Sequence, residues 1–196
     1  MTRLANTDYP IHELLLRRWS PRAFSDRLPD PSVLLRLLEA ARWAPSSFND
    51  QPWAFLTARH DQPAEFACLL ETLIEFNRSW AQTAAVLAVT VARSTFAHNG
   101  QPNRHAWHDV GLAVSQLTLQ ATAEGLFVHQ MAGILPDRAR ELLHIPAGWE
   151  PVSALAIGYL GDPERLPEGL RQRELAPSTR KPLSEFVFSG NWGQPL

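Results

Sequence analysis

The spacing of hydrophobic residues predicts two helices in the first quarter of the chain. Apolar positions lie three and four residues apart over residues 11–18, which indicates a short helix that ends in a basic cluster. Asp30-Pro31 is typical of an N-cap followed by proline at the first helical position, and an apolar stripe follows it. Because proline cannot continue a helix, Ala44-Pro45 should end this second helix and begin a polar loop.

Apolar runs further along the chain predict four strands with helices between them. The predicted strands cover residues 53–57, 84–92, 126–131 and 152–160. The predicted helices cover residues 63–80 and 104–124, the latter capped by Asn103, and a short third helix starts near Pro136. Since strands and helices interleave, we expect a mixed sheet with helices packed over it.

Three further segments have distinctive patterns. Residues 111–121 are apolar or small on nearly every side, so this helix should be buried on two faces, either centrally or at a subunit interface. Residues 93–104 lack periodicity and predict an exposed loop of the kind that often lines a site. Residues 162–196 are rich in proline and charge, and we interpret them as an ordered arm of a single domain spanning residues 1–196.

Composition and charge narrow the function classes. The chain has 196 residues, of which 45% are hydrophobic, so it can bury one substantial core. A formal net charge of −2 gives no overall attraction to nucleic acid or to an anionic membrane. Cys68 is the only cysteine, which excludes a disulfide-held scaffold. Met1 to Pro10 lacks the pattern of a signal peptide and residues 84–92 are too short to span a bilayer, so we expect a cytoplasmic protein without a membrane partner.

Basic residues next to a turn form the first candidate site. Arg18-Trp19-Ser20-Pro21-Arg22 places two guanidiniums and a hydroxyl within five positions, and such groups can converge on a phosphate. A solvated basic surface is the alternative from spacing alone. Arg180-Lys181, far along the chain, could close over the same phosphate or stay in solvent.

The loop from Pro45 to Trp53 forms the second candidate site. It contains Ser46, Ser47, Asn49 and Gln51, which together offer both hydrogen-bond donors and acceptors. A heterocycle with alternating N–H and C=O groups would need such a mixture. An ordinary polar turn explains the same residues.

Three strings, taken in order, resemble the nitroreductase family. They are Leu16-Arg17-Arg18-Trp19-Ser20-Pro21-Arg22-Ala23-Phe24, Ala44-Pro45-Ser46-Ser47-Phe48-Asn49-Asp50-Gln51-Pro52-Trp53, and Arg180-Lys181-Pro182-Leu183 before a final aromatic stretch. The resemblance covers almost the whole chain. It implies an α+β, three-layer fold, an intertwined homodimer, and FMN held at the dimer interface by residues of both subunits.

The resemblance also implies roles for individual residues. Arg18, Ser20, Arg180 and Lys181 would contact the FMN phosphate, Arg22 would lie by the flavin ring, and Trp19 and Pro45 would also belong to the cofactor site. The remaining cofactor-binding residues that it implies are Ser46, Ser47, Asn49, Gln51, Asn77, Gln130, Met131 and Gly133. Ser46 and Ser47 would come from the second subunit, Asn77 would bind the pyrimidine edge, and the backbone of residues 130–133 would pass the flavin N5.

The chain departs from the family pattern at three positions. Trp19 stands where other members have a polar or smaller residue, and Trp80 where some have a basic residue near the ring. Ala132 stands where some nitroreductases have a glutamate. These differences put the nicotinamide preference and the acceptor in doubt.

Other chemistries have weaker support in the sequence. His98, His105, His108 and Asp109 could form a metal site, but their spacing matches no recognised metal motif, and we expect none. Hydrolysis by a serine of the loop has little support, because these serines are not in a G-x-S-x-G turn. No G-x-G-x-x-G fingerprint indicates a stably bound dinucleotide.

The resemblance therefore implies a flavin oxidoreductase. Reducing equivalents would pass from NADH or NADPH through FMN N5 to a small electron-poor acceptor in a ping-pong cycle, with no catalytic side chain. The acceptor would be a nitroaromatic, a quinone, or an activated alkene or aldehyde. The alternatives are a flavin reductase, a non-catalytic flavin carrier or sensor, and a helical interaction module without cofactor.

Overall fold

Helices and strands alternate along the chain in the order that the hydrophobic pattern predicts. The computed structural model describes residues 4–196, so Met1 to Arg3 of the segment without a signal-peptide pattern lie outside the described residues. The helices are α1 Glu13–Arg17, α2 Pro31–Arg42, α3 Pro63–Leu70, α4 Glu75–Ala81, α5 Ala106–Ala123, α6 Pro136–Leu142 and α7 Glu168–Leu175. The strands are β1 Trp53–Arg59, β2 Val86–Arg93, β3 Phe127–Met131 and β4 Trp149–Gly158.

The four strands form one sheet in the order β1-β2-β4-β3, and all three pairings are antiparallel. The prediction of a mixed sheet was therefore wrong for this chain. β2 and β3 do run in the same direction and are connected through α5, but β4 lies between them and pairs with both. β2 and β3 are thus parallel but not adjacent, because β4 lies between them and is antiparallel to both. A hydrophobic pattern cannot reveal this strand order.

Helices cover both faces of the sheet and make three layers. Val86 and Ala88 of β2 belong to a core cluster with α2 and α5, whereas Leu87 and Val89 belong to a second cluster with α3 and α4. The alternation follows from the two-residue period of a strand, which sends successive side chains to opposite faces. The predicted α+β, three-layer class is confirmed.

The helix predicted over residues 63–80 is broken in the structure. Residues between α3 and α4 pair with the segment after β3: Leu73 forms an isolated bridge with Ile134, and the Ile74 N–H donates to the Gly133 carbonyl at 3.2 Å. These backbone bonds replace helical ones, so the chain turns and starts α4 afresh. The break sets Asn77 beside Gly133.

The long helix α5 buries one broad side in the single chain. Val110, Val114 and Leu117 are almost completely buried, but Trp107 is 46% exposed and Gly111 is also exposed. Burial on two faces is therefore not met within one chain, because Trp107 and Gly111 remain exposed. An interface on that side stays a prediction.

The start of α5 differs from the pattern. The N-cap of α5 is His105 rather than Asn103, which lies two residues earlier and whose Oδ1 accepts the N–H of His105 at 3.0 Å. Within residues 162–196, α7 buries Leu170 and Glu174. None of the described helices is long and apolar enough to cross a membrane.

Candidate functional site

A polar cavity of about 250 Å³ opens between the turn after α1 and the end of α7. Its lining residues are Arg18, Trp19, Ser20, Arg22, Arg173, Glu174, Ala176, Pro177, Ser178 and Arg180. Four guanidiniums therefore face one carboxylate, and two hydroxyls add short donors. This donor set suits an anion with several oxygens, because guanidinium groups bind such oxygens in pairs.

The two arginines of the turn are held partly out of water. Burial lowers the pKa of Arg18, and the nearby charge of Arg180 lowers it further. Burial also lowers the pKa of Arg22, with Glu174 opposing the shift and Arg173 adding to it. Cations brought together in this way are relieved by a bound anion, which would favour their charged forms.

Glu174 fastens the turn to α7. Its two carboxylate oxygens accept the Arg22 N–H at 3.0 and 2.9 Å, and one of them accepts the Ala23 N–H at 3.1 Å. The side chain is buried, with 3% exposure. The sequence contains no periodic or motif signal for this contact, because Glu174 is one of many charged residues in the arm.

Aromatic rings support the turn from the sheet side. The His129 Nδ1 donates to the Pro21 carbonyl at 2.9 Å, and its ring centroid lies 4.5 Å from that of Trp80. Burial lowers the pKa of His129 to about 4. The Arg22 guanidinium lies 5.9 Å from the Trp80 ring centroid. Trp80 Nε1 and Arg22 Nε are buried and have no hydrogen-bond partner among the described residues.

Asn77 and Gly133 are in direct contact next to this group. Asn77 lies one turn before Trp80 on α4, and its Nδ2 donates to the Gly133 carbonyl at 3.0 Å. A Cβ on Gly133 would lie 2.5 Å from that nitrogen, so a larger residue does not fit here without movement. Gln130 is exposed, whereas the Met131 side chain points into the core and leaves its backbone as the available contact.

The loop of residues 45–51 is held in an unusual backbone conformation. Phe48, Asn49 and Gln51 have positive φ angles of 55°, 52° and 49°. Such angles are costly for residues other than glycine and persist where the surroundings enforce them. Here the Ser46 Oγ accepts the Gln51 N–H at 3.0 Å, which closes the loop on itself.

Two buried carboxylates anchor the same loop. The Ser47 N–H donates to Asp109 Oδ2 at 3.0 Å, which ties the loop to α5. Asp50 accepts the Ala97 N–H at 2.8 Å and the Arg93 guanidinium at 3.0 Å, which ties it to the segment after β2. The loop is therefore presented rigidly, and Phe48 at its tip is 81% exposed.

The structure divides the predicted site residues of one chain into separate groups. Arg18, Trp19, Ser20, Arg22 and Arg180 line the arginine cavity. Lys181 is exposed beside it and lies 3.4 Å from Glu185. The loop residues Pro45, Ser46, Ser47, Asn49 and Gln51 do not line that cavity. Asn77, Gln130, Met131 and Gly133 lie at α4 and the end of β3.

The histidines near the start of α5 do not gather in one place. His108 Nδ1 lies 3.3 Å from Asp109 Oδ1, whereas His98 packs on Phe48 and Phe96. Among residues 4–196, no group of three or more His, Cys, Asp or Glu side chains is arranged to hold a metal ion.

Comparison with known proteins places this arrangement in a family. The model of the nitroreductase family matches residues 15–78 and 71–159, which include the first arginines, the polar loop and the end of β3. The chain belongs to the nitroreductase family. A solved structure described as an oxidoreductase containing FMN is 40% identical to this nitroreductase-family chain, with a TM-score of 0.91 and 96% of each chain covered.

Two curated relatives extend the comparison. An uncharacterised 15.4 kDa protein of Mycolicibacterium smegmatis is 32% identical over 69% of this nitroreductase-family chain and 90% of its own length. A protein named NADH dehydrogenase from Thermus thermophilus is 29% identical over 88% of this chain and 92% of its own.

Proposed function

We propose that this chain is an FMN-dependent oxidoreductase that uses NADH or NADPH to reduce a small electron-poor acceptor. The observation that carries the proposal is the cavity in which Arg18, Arg22, Arg173 and Arg180 face a single carboxylate. An FMN phosphate carries the negative charge and the oxygens that this donor set lacks. The similarity to an FMN-containing oxidoreductase at 40% identity supports the same cofactor.

The phosphate would be held by side chains from two distant parts of the chain. Arg18 and Ser20 would bind it from the turn after α1, and Arg180 from the arm, with Lys181 adding positive charge at the exposed edge. Because burial and the neighbouring charge of Arg180 lower the pKa of Arg18, a bound phosphate would stabilise the charged form of Arg18.

The flavin ring would extend from this cavity along Trp19 and Arg22 towards α4 and the end of β3. Arg22 would place a positive charge by the ring, Asn77 would lie at the pyrimidine edge, and the backbone of residues 130–133 would offer N–H groups. When bound, FMN would supply the redox chemistry of the proposed ping-pong cycle, in which the nicotinamide is the reductant and the small molecule is the acceptor. The protein's own residues orient the reactants and set the local charge.

The polar loop would complete the site from a second subunit. Ser46, Ser47, Asn49, Gln51 and Pro45 do not line the arginine cavity of their own chain, yet Asp109 and Asp50 hold the loop rigidly. We propose a homodimer in which this loop meets the partner's flavin and the arm of residues 162–196 packs on the partner. Sedimentation of the FMN-loaded protein should then give twice the mass of the 22.0 kDa chain, and a monomer that binds FMN with full affinity would refute the shared site.

Binding and turnover together test the function. The apoprotein should bind FMN more tightly than riboflavin, since riboflavin lacks the phosphate that the arginines recognise. The FMN-loaded protein should oxidise NADH or NADPH rapidly when a quinone or nitroaromatic is present. Tight FMN binding without turnover would support a carrier or sensor instead, and failure to bind FMN would refute the proposal.

A further inference from the structure

We infer that Glu174 is a positioning residue for the phosphate end of the FMN site. In this role it holds the turn that carries Arg18, Ser20 and Arg22 at a fixed distance from the arm that carries Ser178 and Arg180. The inference rests on the proposed function, because it assigns the cavity to the FMN phosphate.

The contacts of Glu174 join two segments that are far apart in sequence. Arg22 and Glu174 are separated by 152 positions, yet both carboxylate oxygens accept the Arg22 N–H, and one accepts the Ala23 N–H. Two adjacent backbone N–H groups on one carboxylate restrict the main chain in both position and orientation. The turn is therefore fastened to the last turn of α7.

Because the main chain is held in place, the backbone positions from which the cavity's side chains extend are also fixed. The turn leads directly into one wall of the cavity, and α7 leads through Ala176 and Pro177 into the other wall. A phosphate that is bound from both walls needs a constant spacing between them, because charge-assisted hydrogen bonds weaken quickly with distance. Glu174 lies at the junction of the two walls, so it controls this spacing.

The burial of Glu174 argues for a specific role. A carboxylate with 3% exposure loses its hydration, and it also reduces the positive charge of a cavity that otherwise contains four arginines. A cavity that needed only positive charge to bind an anion would not contain a buried glutamate. Its bonds to backbone N–H groups explain its presence, since they organise the turn that presents the guanidiniums.

The decisive test compares FMN with riboflavin, which has the same ring but no phosphate. Glu174→Gln replaces one acceptor oxygen with a donor that cannot bond to the backbone N–H groups. Glu168→Gln is the matched control, because Glu168 is on the same helix but pairs with Arg171 and Gln172 on the exposed side. Dissociation constants are measured for both flavins by quenching of flavin fluorescence in the apoproteins.

We expect Glu174→Gln to weaken FMN binding roughly tenfold, because loosening the turn that presents the guanidiniums outweighs the gain from removing a negative charge beside the phosphate. Riboflavin binding should change much less, and Glu168→Gln should match the wild type for both flavins. Equal weakening of both flavins by Glu174→Gln would show a general structural role and overturn the inference. Unchanged FMN binding would overturn it as well.

Two further measurements distinguish a failure of the Glu174 role from a failure of the proposed FMN site. If the wild type binds FMN no better than riboflavin, the assignment of the cavity to phosphate is wrong, and this result comes before any variant is made. If Glu174→Gln does not fold, hydrogen exchange of the wild type decides. FMN should slow exchange in residues 18–23 and 170–176 together more than riboflavin does, and protection of residues 18–23 alone would overturn the inference.

Discussion

Replacing Arg18 with alanine separates binding from stability at this site. Arg18 lines the arginine cavity, is partly buried, and has its pKa lowered by burial and by Arg180. In the apoprotein its charge is therefore held in an unfavourable place. In the complex the same charge would face the FMN phosphate, so the substitution should affect the two states in opposite directions.

The expected magnitude follows from the kind of contact that is lost. A hydrogen bond to a charged partner contributes about 1.5–3 kcal/mol. At 1.4 kcal/mol for each factor of ten, Arg18→Ala should raise the Kd for FMN about 10- to 150-fold. The Tm of the apoprotein should stay the same or rise, because the repulsion with Arg180 is removed.

The assay is an FMN titration of apoprotein variants together with thermal unfolding of the same samples. Arg17→Ala is the matched control, since Arg17 is the exposed neighbour in the last turn of α1 and does not line the cavity. Arg18→Lys should give an intermediate affinity, because lysine keeps the charge but not the planar fork. Unchanged FMN affinity in Arg18→Ala would refute the phosphate role.

Three further predictions concern the packing and electrostatics around the site. Gly133→Ala should lower the free energy of unfolding, measured by chemical denaturation, by about 1–3 kcal/mol, since its Cβ would lie 2.5 Å from a side-chain nitrogen of α4. Gly111→Ala is the control and should be neutral or stabilising, because its Cβ would have no atom within 4 Å. His129 has a pKa of about 4 in the folded protein against 6.5 normally, so its stabilising effect is complete above pH 6.5 and is lost as the pH falls towards 4. The stability advantage of the wild type over His129→Gln should shrink across that window, and a constant difference would contradict the assignment. Asp109→Asn should speed amide exchange in the loop of residues 45–51 and cost about 1–3 kcal/mol, and unchanged exchange there would show that the loop is held by other contacts.

Local elements of the fold could be predicted because they depend on neighbouring residues. Asp30 and Pro31 fix the start of α2, and the side chain of Asp30 does accept the Ser32 N–H at 2.8 Å. The sheet order could not be predicted, because the insertion of β4 between β2 and β3 depends on pairing between distant segments. The break after α3 has the same cause, since Leu73 pairs with Ile134.

Some residues of the candidate site could likewise be predicted from the sequence, whereas others could not. The arginines of the turn and Arg180 could be selected because basic residues next to a turn, together with the family resemblance, indicate a phosphate site. Glu174, Arg173 and His129 could not be selected, because a carboxylate in a charged arm and a histidine in a strand look ordinary until the fold brings them to residues 20–23. The contacts that organise the site are long-range, and single-sequence patterns are local.

The proposal that this chain binds FMN and reduces it with a nicotinamide can be tested by visible absorption. Spectra of the FMN-loaded protein are recorded without oxygen, before and after addition of NADH or NADPH. We predict flavin bands that remain with the protein after gel filtration and bleach when one of the nicotinamides is added. An acceptor such as a quinone should then restore the bands. Protein that stays colourless after incubation with FMN, or bound flavin that neither nicotinamide reduces, would contradict the proposed function.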